Sequence, residues 1–402
     1  MNSINDRDIE YLLTPIAIRE TTDKIFQRAL AGKTHFNLHL DKLEACSDYV
    51  MDVIKNNYPT LDIPFHSRWG HFKVGKVDRE KLLDELIVTQ DPTEIARIKL
   101  DLVIISVLLD AGAGKDWQYQ EENHSFNRSE GLAVASYHMF KNGMFSEDGK
   151  LMADAKGLQK FSIDKLTAGF QVSDTNPLVG ADGRVELIQK LGKTIEANPE
   201  IFPGGRPGNI IDYLCENLGN NFEVQDILDA VLKGLGPIWP GRIMVNDINL
   251  GDVWHYKPLG HEVNAESVIC FHKLSQWLTY SLVVPMIKAG FIIDGAEKLT
   301  GLAEYRNGGL FLDFGVISLR DDNNFQQAHK PGSELIIEWR ALTVQLLDQV
   351  GKLIQDKLEK SPADFPLAKV LEGGTWWAGR KIALEKRDGT TPITLDSDGT
   401  VF

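Results

Sequence analysis

Residues 299–319, LTGLAEYRNGGLFLDFGVISL, place one carboxylate (Glu304) and one guanidinium (Arg306) in a short glycine-flanked turn ahead of an apolar run. Charges set between segments that must be buried cost free energy unless each is satisfied, so the turn invites a functional reading. A helix-terminal ion pair at the surface is the ordinary alternative. A fixed carboxylate of this kind can stabilise a developing cation or position a water, and an arginine beside it can hold an anion through two parallel hydrogen bonds.

Other groups share this character. Between 266 and 290, Lys273, Gln276 and Tyr280 fall on one face of a helical pattern, while Phe271, Leu274, Leu278 and Leu282 fall on the other. In the helix expected over 333–360, Leu335, Trp339, Leu342, Leu346, Val350 and Leu353 make a broad apolar stripe. Glu338 and Arg340 border that stripe, where each needs a partner or a ligand. The run GGTWWAGR (373–380) sets Trp376 and Trp377 beside Arg380; adjacent rings on a helix cannot both enter one core. IPFHSRWGHF (63–72) clusters His66, Arg68, Trp69 and His71 as a pocket wall. Asp247 and Asp252 are further acids near a predicted hairpin over 241–256.

Several chemistries are excluded. LLDAGAGKDWQYQE (108–121) has neither the GK[ST] ending of a phosphate loop nor a GxGxxG fingerprint. HFNLH (35–39) spaces two histidines without the acid of an HExxH frame, so no metal site is expected there. There is no GxSxG elbow. Cys46, Cys215 and Cys270 are far apart and form no CxxC pair, which predicts free thiols. A formal net charge of −14 and scattered arginines do not suit a polynucleotide backbone. No run of 18 apolar residues occurs and the N-terminus lacks the layout of a secretory leader, so a cytoplasmic protein without a membrane span is expected.

The elements that must position these groups read as mostly α with a few short β-strands. Helices are predicted over 16–30, 40–57, 79–89, 92–109, 129–141, 163–169, 178–197, 210–217, 224–233, 266–290 and 333–360, with Pro285 kinking or ending the penultimate one. An extended tail closes the chain. No linker marks a boundary, so one domain over 1–402, or two interleaved helical lobes, is expected.

Eight blocks, IPFHSRWGHF, LLDAGAG, NRSEGLAVASYHMF, GGRPGN, NDINLGDVWHY, LTGLAEYRNGGLFLDFGV, ELIIEWRA and GTWWAGR, with the ending SDGTVF, together resemble the uracil-catabolism family of fungi and bacteria that is linked to ribosylurea processing. In that route a ring-opened uracil nucleotide leaves a urea attached to ribose. The chain is also similar, more distantly, to queuosine 5′-phosphate nucleosidases, which look like helix-hairpin-helix DNA glycosylases. Their block LTxFADYRVPQxLxxxGVLxYS runs parallel to 299–319 and sets Glu304 on that family's active-site aspartate. Their KRAQ, EIRA and LWxxGR blocks look like His272–Gln276, Glu338–Ala341 and Trp376–Arg380. Glu in place of Asp, and Asn307-Gly308-Gly309 in place of VPQ, are departures.

The resemblance implies a helix-hairpin-helix glycosylase-like core and an N-glycoside hydrolase releasing urea from ribosylurea or its 5′-phosphate. Glu304 would stabilise the oxocarbenium-like sugar. Lys273, Gln276, Asp247 or Asp252 would assist the leaving urea, and Arg306, Arg340 or Arg380 would hold a phosphate. Tyr305, Glu338, Trp376, Arg68 and Trp69 complete the expected contacts, with no cofactor, metal, nucleic acid or membrane involved. A non-catalytic binding or scaffold protein of the same pathway, and a ureide amidohydrolase, are the alternatives.

Overall fold

A computed structural model describes residues 4–396, apart from 111, 240 and 241. It is mostly helical, with short two-stranded ladders and no larger sheet among the described residues. The chain divides into two compact units, each assembled from separated segments: Met1–His66, Pro240–Gln276 and Gly295–Phe402 in the first, Ser67–Trp239 and Trp277–Asp294 in the second. No helix among the described residues is long and apolar enough to cross a membrane. The three cysteines are free thiols.

The first unit contains nearly all the residues of interest. Helix α1 (Pro15–Leu30) starts where Thr14 accepts a hydrogen bond from the Ala17 amide and Pro15 supplies a pre-set φ. Its buried positions Ala17, Ile18, Thr21, Thr22, Ile25, Phe26 and Ala29 recur at three and four residues and line one face. Strand β1 (Phe36–Leu38) pairs antiparallel with a later strand, and helix α2 (Leu43–Asn57) follows. Strands β2 (Val253–His255) and β3 (Val268–Cys270) form an antiparallel ladder in which Val253 faces Cys270.

Helix α3 (Lys273–Lys288) begins after Phe271 and His272; its residues to Gln276 belong to this unit and those from Trp277 to the second. The helix expected from residue 266 is therefore a strand for its first part. Val268, Ile269, Cys270 and Phe271 form a wholly buried apolar run, and such a run does not distinguish strand from helix by period. His272 makes the change of direction, with φ at +46°. Pro285 lies inside α3, which ends three residues later.

Helix α4 (Tyr305–Phe314) leads through Gly315, a left-handed C-cap, into strand β4 (Ile317–Leu319), the partner of β1. Helix α5 (Glu334–Leu358) is capped by Ser333 and buried on every side from Leu335 to Val344. It is the central rod of this unit: Ile337, Ala341 and Val344 pack with Ile18 and Ile25 of α1 and with Val253, Tyr256 and the β3 residues. The apolar stripe read from the sequence is present, except that Ile354 is buried where Leu353 is only half-buried. Helix α6 (Trp376–Arg387) follows a π-helical turn, Leu371–Thr375. The ending SDGTVF lies outside the described residues.

The second unit is built on a helix over Pro92–Leu108, wholly buried from Ile98 onward, with helices Arg128–Lys141 and Ala181–Ala197. At its centre Asp101 accepts hydrogen bonds from Arg206 Nε at 2.6 Å and the Gly208 amide at 2.7 Å. The GGRPGN turn is thereby tied to this helix. Any Cβ at Gly208 would collide with the Arg97 carbonyl, so glycine is required there.

Candidate functional site

Glu304 is the N-cap of α4. Its backbone is extended (φ −124°, ψ 161°), and its side chain turns onto the helix end. Oε2 accepts from the Arg306 amide at 2.7 Å and Oε1 from the Asn307 amide at 2.6 Å. These are orphan donors of a helix start, and the positive end of the helix dipole favours an anion there. The carboxylate is buried, with 7% of the residue exposed. A carboxylate has about four acceptor positions, so two amide bonds fix its orientation and leave capacity for a water or a ligand. Arg306 turns elsewhere: its Nη1 donates to the Gly389 carbonyl at 3.1 Å, and the guanidinium carbon lies 4.8 Å from the Tyr305 ring centre. The ordinary alternative, an ion pair within the turn, is thus not what forms: Glu304 caps the helix and Arg306 anchors the chain at Gly389.

Helix α6 is pressed against this turn. A Cβ at Gly379 would collide with the Arg306 carbonyl, so only glycine allows the approach. We expect Gly379→Ala to cost about 1–3 kcal/mol through overpacking against a backbone that cannot yield. Chemical denaturation checks this, and an unchanged midpoint would refute the close approach. One turn before Gly379, Trp376 and Trp377 meet edge to face at 4.8 Å, and the Arg380 guanidinium lies 5.5 and 5.6 Å from their centres. Trp377 is the more exposed ring, as expected for adjacent tryptophans on one helix.

The π-turn before α6 carries a group that sequence reasoning did not assemble. Glu372 Oε2 lies 2.8 Å from His66 Nδ1, and Tyr58 donates its hydroxyl to Oε1 at 3.3 Å. Burial, then the Glu372 charge, push the Tyr58 hydroxyl well above its usual range, so it remains a donor. The His66 ring is 5.9 Å from Trp376. His66 stands in a cluster that the sequence singles out; Glu372, 306 residues away, carries no such signal.

Behind Glu304 lies a clamp. Arg340 donates through Nη1 and Nη2 to the two oxygens of Asp252 at 2.8 and 2.7 Å, and its Nε reaches the Ala303 carbonyl at 3.4 Å. Its guanidinium carbon lies 4.0 Å from the Phe271 ring centre. Asp252 also accepts from Trp254 Nε1 at 2.6 Å and from the Lys273 amide, the first of α3, at 3.1 Å. Burial opposes the charge on Asp252, but the Arg340 guanidinium and these N–H donors outweigh it and hold the carboxyl well below the usual carboxylate range. Gln276, fully buried, exchanges hydrogen bonds with Thr300: Nε2 donates to Oγ1 at 2.9 Å, and Oε1 accepts from the Thr300 amide at 2.9 Å. Blocks from four distant parts of the sequence, around 272–276, 299–306, 338–341 and 376–380, therefore converge on the start of α4.

The family described as "Protein of unknown function (DUF1688)" matches residues 11–402. The chain belongs to it. Over 439 aligned residues, covering 99% of both chains, it is 40% identical to "Uracil catabolism protein 4" of Lachancea kluyveri. It is 38% identical over 411 residues to "Protein urg3" of Schizosaccharomyces pombe, covering 97% of this chain and 98% of that one. The resemblance to the uracil-catabolism family read from the eight blocks agrees with these relatives.

Not all the expected residues of this DUF1688 chain join the cluster. Asp247 is exposed at the tip of a hairpin between Met244–Val245 and Ile248–Asn249, where it and Asn246 take positive φ as a tight turn requires. Arg68 and Trp69 belong to the second unit: Arg68 pairs with Asp110 at 2.9 Å and donates to Ser106, while Trp69 donates to the Ser281 carbonyl. Glu338 faces away from Arg340 along α5. It accepts from Tyr256 at 2.6 Å and from His35 through the amide and Nδ1 at 2.7 and 2.8 Å, and it lines a surface pocket of about 240 Å³ with Lys33 and Arg320. The Glu338 hydrogen bond outweighs burial and raises the affinity of His35 for its proton.

Proposed function

We propose that this chain is an N-glycoside hydrolase of uracil catabolism, cleaving the C1′–N bond of ribosylurea or its 5′-phosphate to release urea and the sugar. The observation that carries the reading is the convergence of the four blocks around residues 300–306, which flank and include Glu304. They share a likeness to a nucleosidase family and are hydrogen-bonded or packed together at one helix start. The names of two full-length relatives supply the pathway. With this reading goes a helix-hairpin-helix glycosylase-like role for α3 and α4, whose starts are tied together through Asp252, Arg340 and Ala303.

The chemistry follows from a carboxylate that cannot swing away. As the C1′–N bond lengthens, positive charge grows on the sugar, and a preorienting anion lowers that barrier without having to reorganise. The two amide donors hold Glu304 in one orientation. Tyr305 follows it directly in the chain, and Trp376 opens α6, whose Gly379 rests on the Arg306 carbonyl. Arg340 is withdrawn from the phosphate-holding role by its commitment to Asp252, and its task is to fix the Ala303 carbonyl next to Glu304.

The direct test incubates the purified protein with ribosylurea and with its 5′-phosphate and measures urea and free sugar. We expect equal amounts of both from at least one substrate. Ammonia in place of urea would overturn the reading in favour of ureide amide hydrolysis. A non-catalytic ligand-binding protein is the second reading, because the cap bonds of Glu304 are also what a purely structural residue would make.

A further inference from the structure

We infer that the surface pocket at the start of α5 binds a sugar phosphate, its phosphate held by Arg320 and Lys33 and its hydroxyls by the Glu334 carboxylate. Glu304 does not line this pocket, and ligand binding here requires nothing of it.

The walls come from three pieces of the first unit. At the end of α1 the chain turns back through Gly32 (φ +73°), where the Gly32 and Lys33 amides donate to the Ala29 and Arg28 carbonyls. It then enters β1. The antiparallel register of β1 and β4 sets Phe36 opposite Leu319. The residues just beyond them, His35 and Arg320, are therefore neighbours, and the Arg320 amide donates to the His35 carbonyl at 2.9 Å. The Arg320 side chain reaches back over the turn: a Cβ on Gly32 would lie 3.4 Å from its Nη2. On the third side, Glu334 and Glu338 stand one turn apart on α5 and share a face.

The lining carries both signs of charge, but not all of it is spent. Glu338 is occupied by the Tyr256 hydroxyl, the His35 amide and His35 Nδ1. Asp321 Oδ1 accepts from the Asn323 amide and side chain at 3.0 and 2.8 Å. Among the described residues, the Arg320 guanidinium, the Lys33 ammonium and the Glu334 carboxylate have no hydrogen-bond or ion-pair partner. In a chain with 57 acids against 43 lysines and arginines, two cations on one pocket would be expected to find carboxylates, and these do not.

A guanidinium presents a flat fork that matches two phosphate oxygens, and an ammonium adds a point charge. His35 stands beside them. Its Nδ1 is committed to Glu338, its side chain is 41% exposed, and the Glu338 hydrogen bond strengthens its hold on a proton. A bare phosphate would be repelled by Glu334. A ligand with hydroxyl groups removes that conflict, because an ionised carboxylate only accepts hydrogen bonds and can take two hydroxyl hydrogens side by side. A sugar phosphate joins both features in one small molecule. At about 240 Å³ the pocket lies below the range that holds drug-sized ligands, which suits a monosaccharide phosphate.

Isothermal titration calorimetry with ribose 5-phosphate, glucose 6-phosphate, ribose and inorganic phosphate tests the site. At least one sugar phosphate should bind saturably below about 1 mM, and more tightly than ribose or inorganic phosphate. Arg320→Gln should weaken that binding about 10-fold or more, since a charged double hydrogen bond is lost. Lys33→Gln should weaken it in the same direction, and serves alone if Arg320→Gln melts at a lower temperature. Glu334→Gln should weaken the sugar phosphate while inorganic phosphate binds as before or more tightly, which separates a hydroxyl acceptor from a bystander charge. No saturable binding of either sugar phosphate would overturn the assignment. So would parental affinity in Arg320→Gln and Lys33→Gln, which would put the ligand elsewhere, or inorganic phosphate binding as tightly as the sugar phosphate.

Discussion

Glu304→Gln is expected to release urea from ribosylurea at least about 10²-fold more slowly than the parent protein, with substrate affinity changed far less, because the lost charge acts on the transition state rather than on the bound ground state. Gln is nearly isosteric and its carbonyl oxygen can still accept one of the amide hydrogens of Arg306 or Asn307. The structural penalty is therefore confined to the cap, roughly 0.5–2 kcal/mol. The two effects are read separately, turnover by urea release and the cap by thermal melting. Glu304→Asp keeps the charge and retracts it by one methylene, so it should recover part of the rate. A Gln variant that turns over at the parental rate would leave Glu304 as a helix cap alone. Loss of turnover with retained ligand binding would remove the scaffold reading.

Several helix starts are legible in the amino-acid sequence, and the reasons are local. Pro15 after Thr14, and Ser333 three residues before Ile336, announce helix starts by capping chemistry, and the helices begin there. The blocks around Glu304, Arg340 and Trp376, singled out in the sequence, lie together in the fold. The sequence could not say how the charges are shared. Asp252 and Arg340 stand 88 residues apart, as acid and phosphate-gripping arginine in the sequence reading, and in the structure they neutralise each other. Arg306 and Glu304 stand two apart and make no such pair: helix geometry sends one side chain back to the cap and the other to Gly389. Spacing puts Gln276 on a polar face with Lys273 and Tyr280, yet it is fully buried, with Thr300 satisfying its amide. Pairings of this kind depend on tertiary placement, for which spacing carries no signal.

The clamp supports the second large expectation. Arg340→Leu leaves the Asp252 carboxylate buried without its counter-ion and should destabilise the protein by about 3–5 kcal/mol near neutral pH. The sign of its pH dependence follows from Asp252. Its folded-state proton affinity lies below the ordinary carboxylate value, so its contribution to stability is present above the unfolded value, near 3.9, and is lost as pH falls through the lower folded value. In Arg340→Leu the carboxyl protonates more readily, so the stability gap between variant and parent should shrink as denaturation is measured from pH 7 towards pH 4. The double variant Asp252→Asn/Arg340→Leu should recover part of the loss, since the stranded charge is gone. A gap under about 1 kcal/mol at neutral pH, or one independent of pH, would mean that solvent compensates Asp252 and that the clamp is energetically idle. If the clamp holds, its effect must extend to Glu304. Arg340 Nε bonds the carbonyl immediately before the cap and Asp252 bonds the first amide of α3, so the double variant should remain slower than the parent even where it is folded.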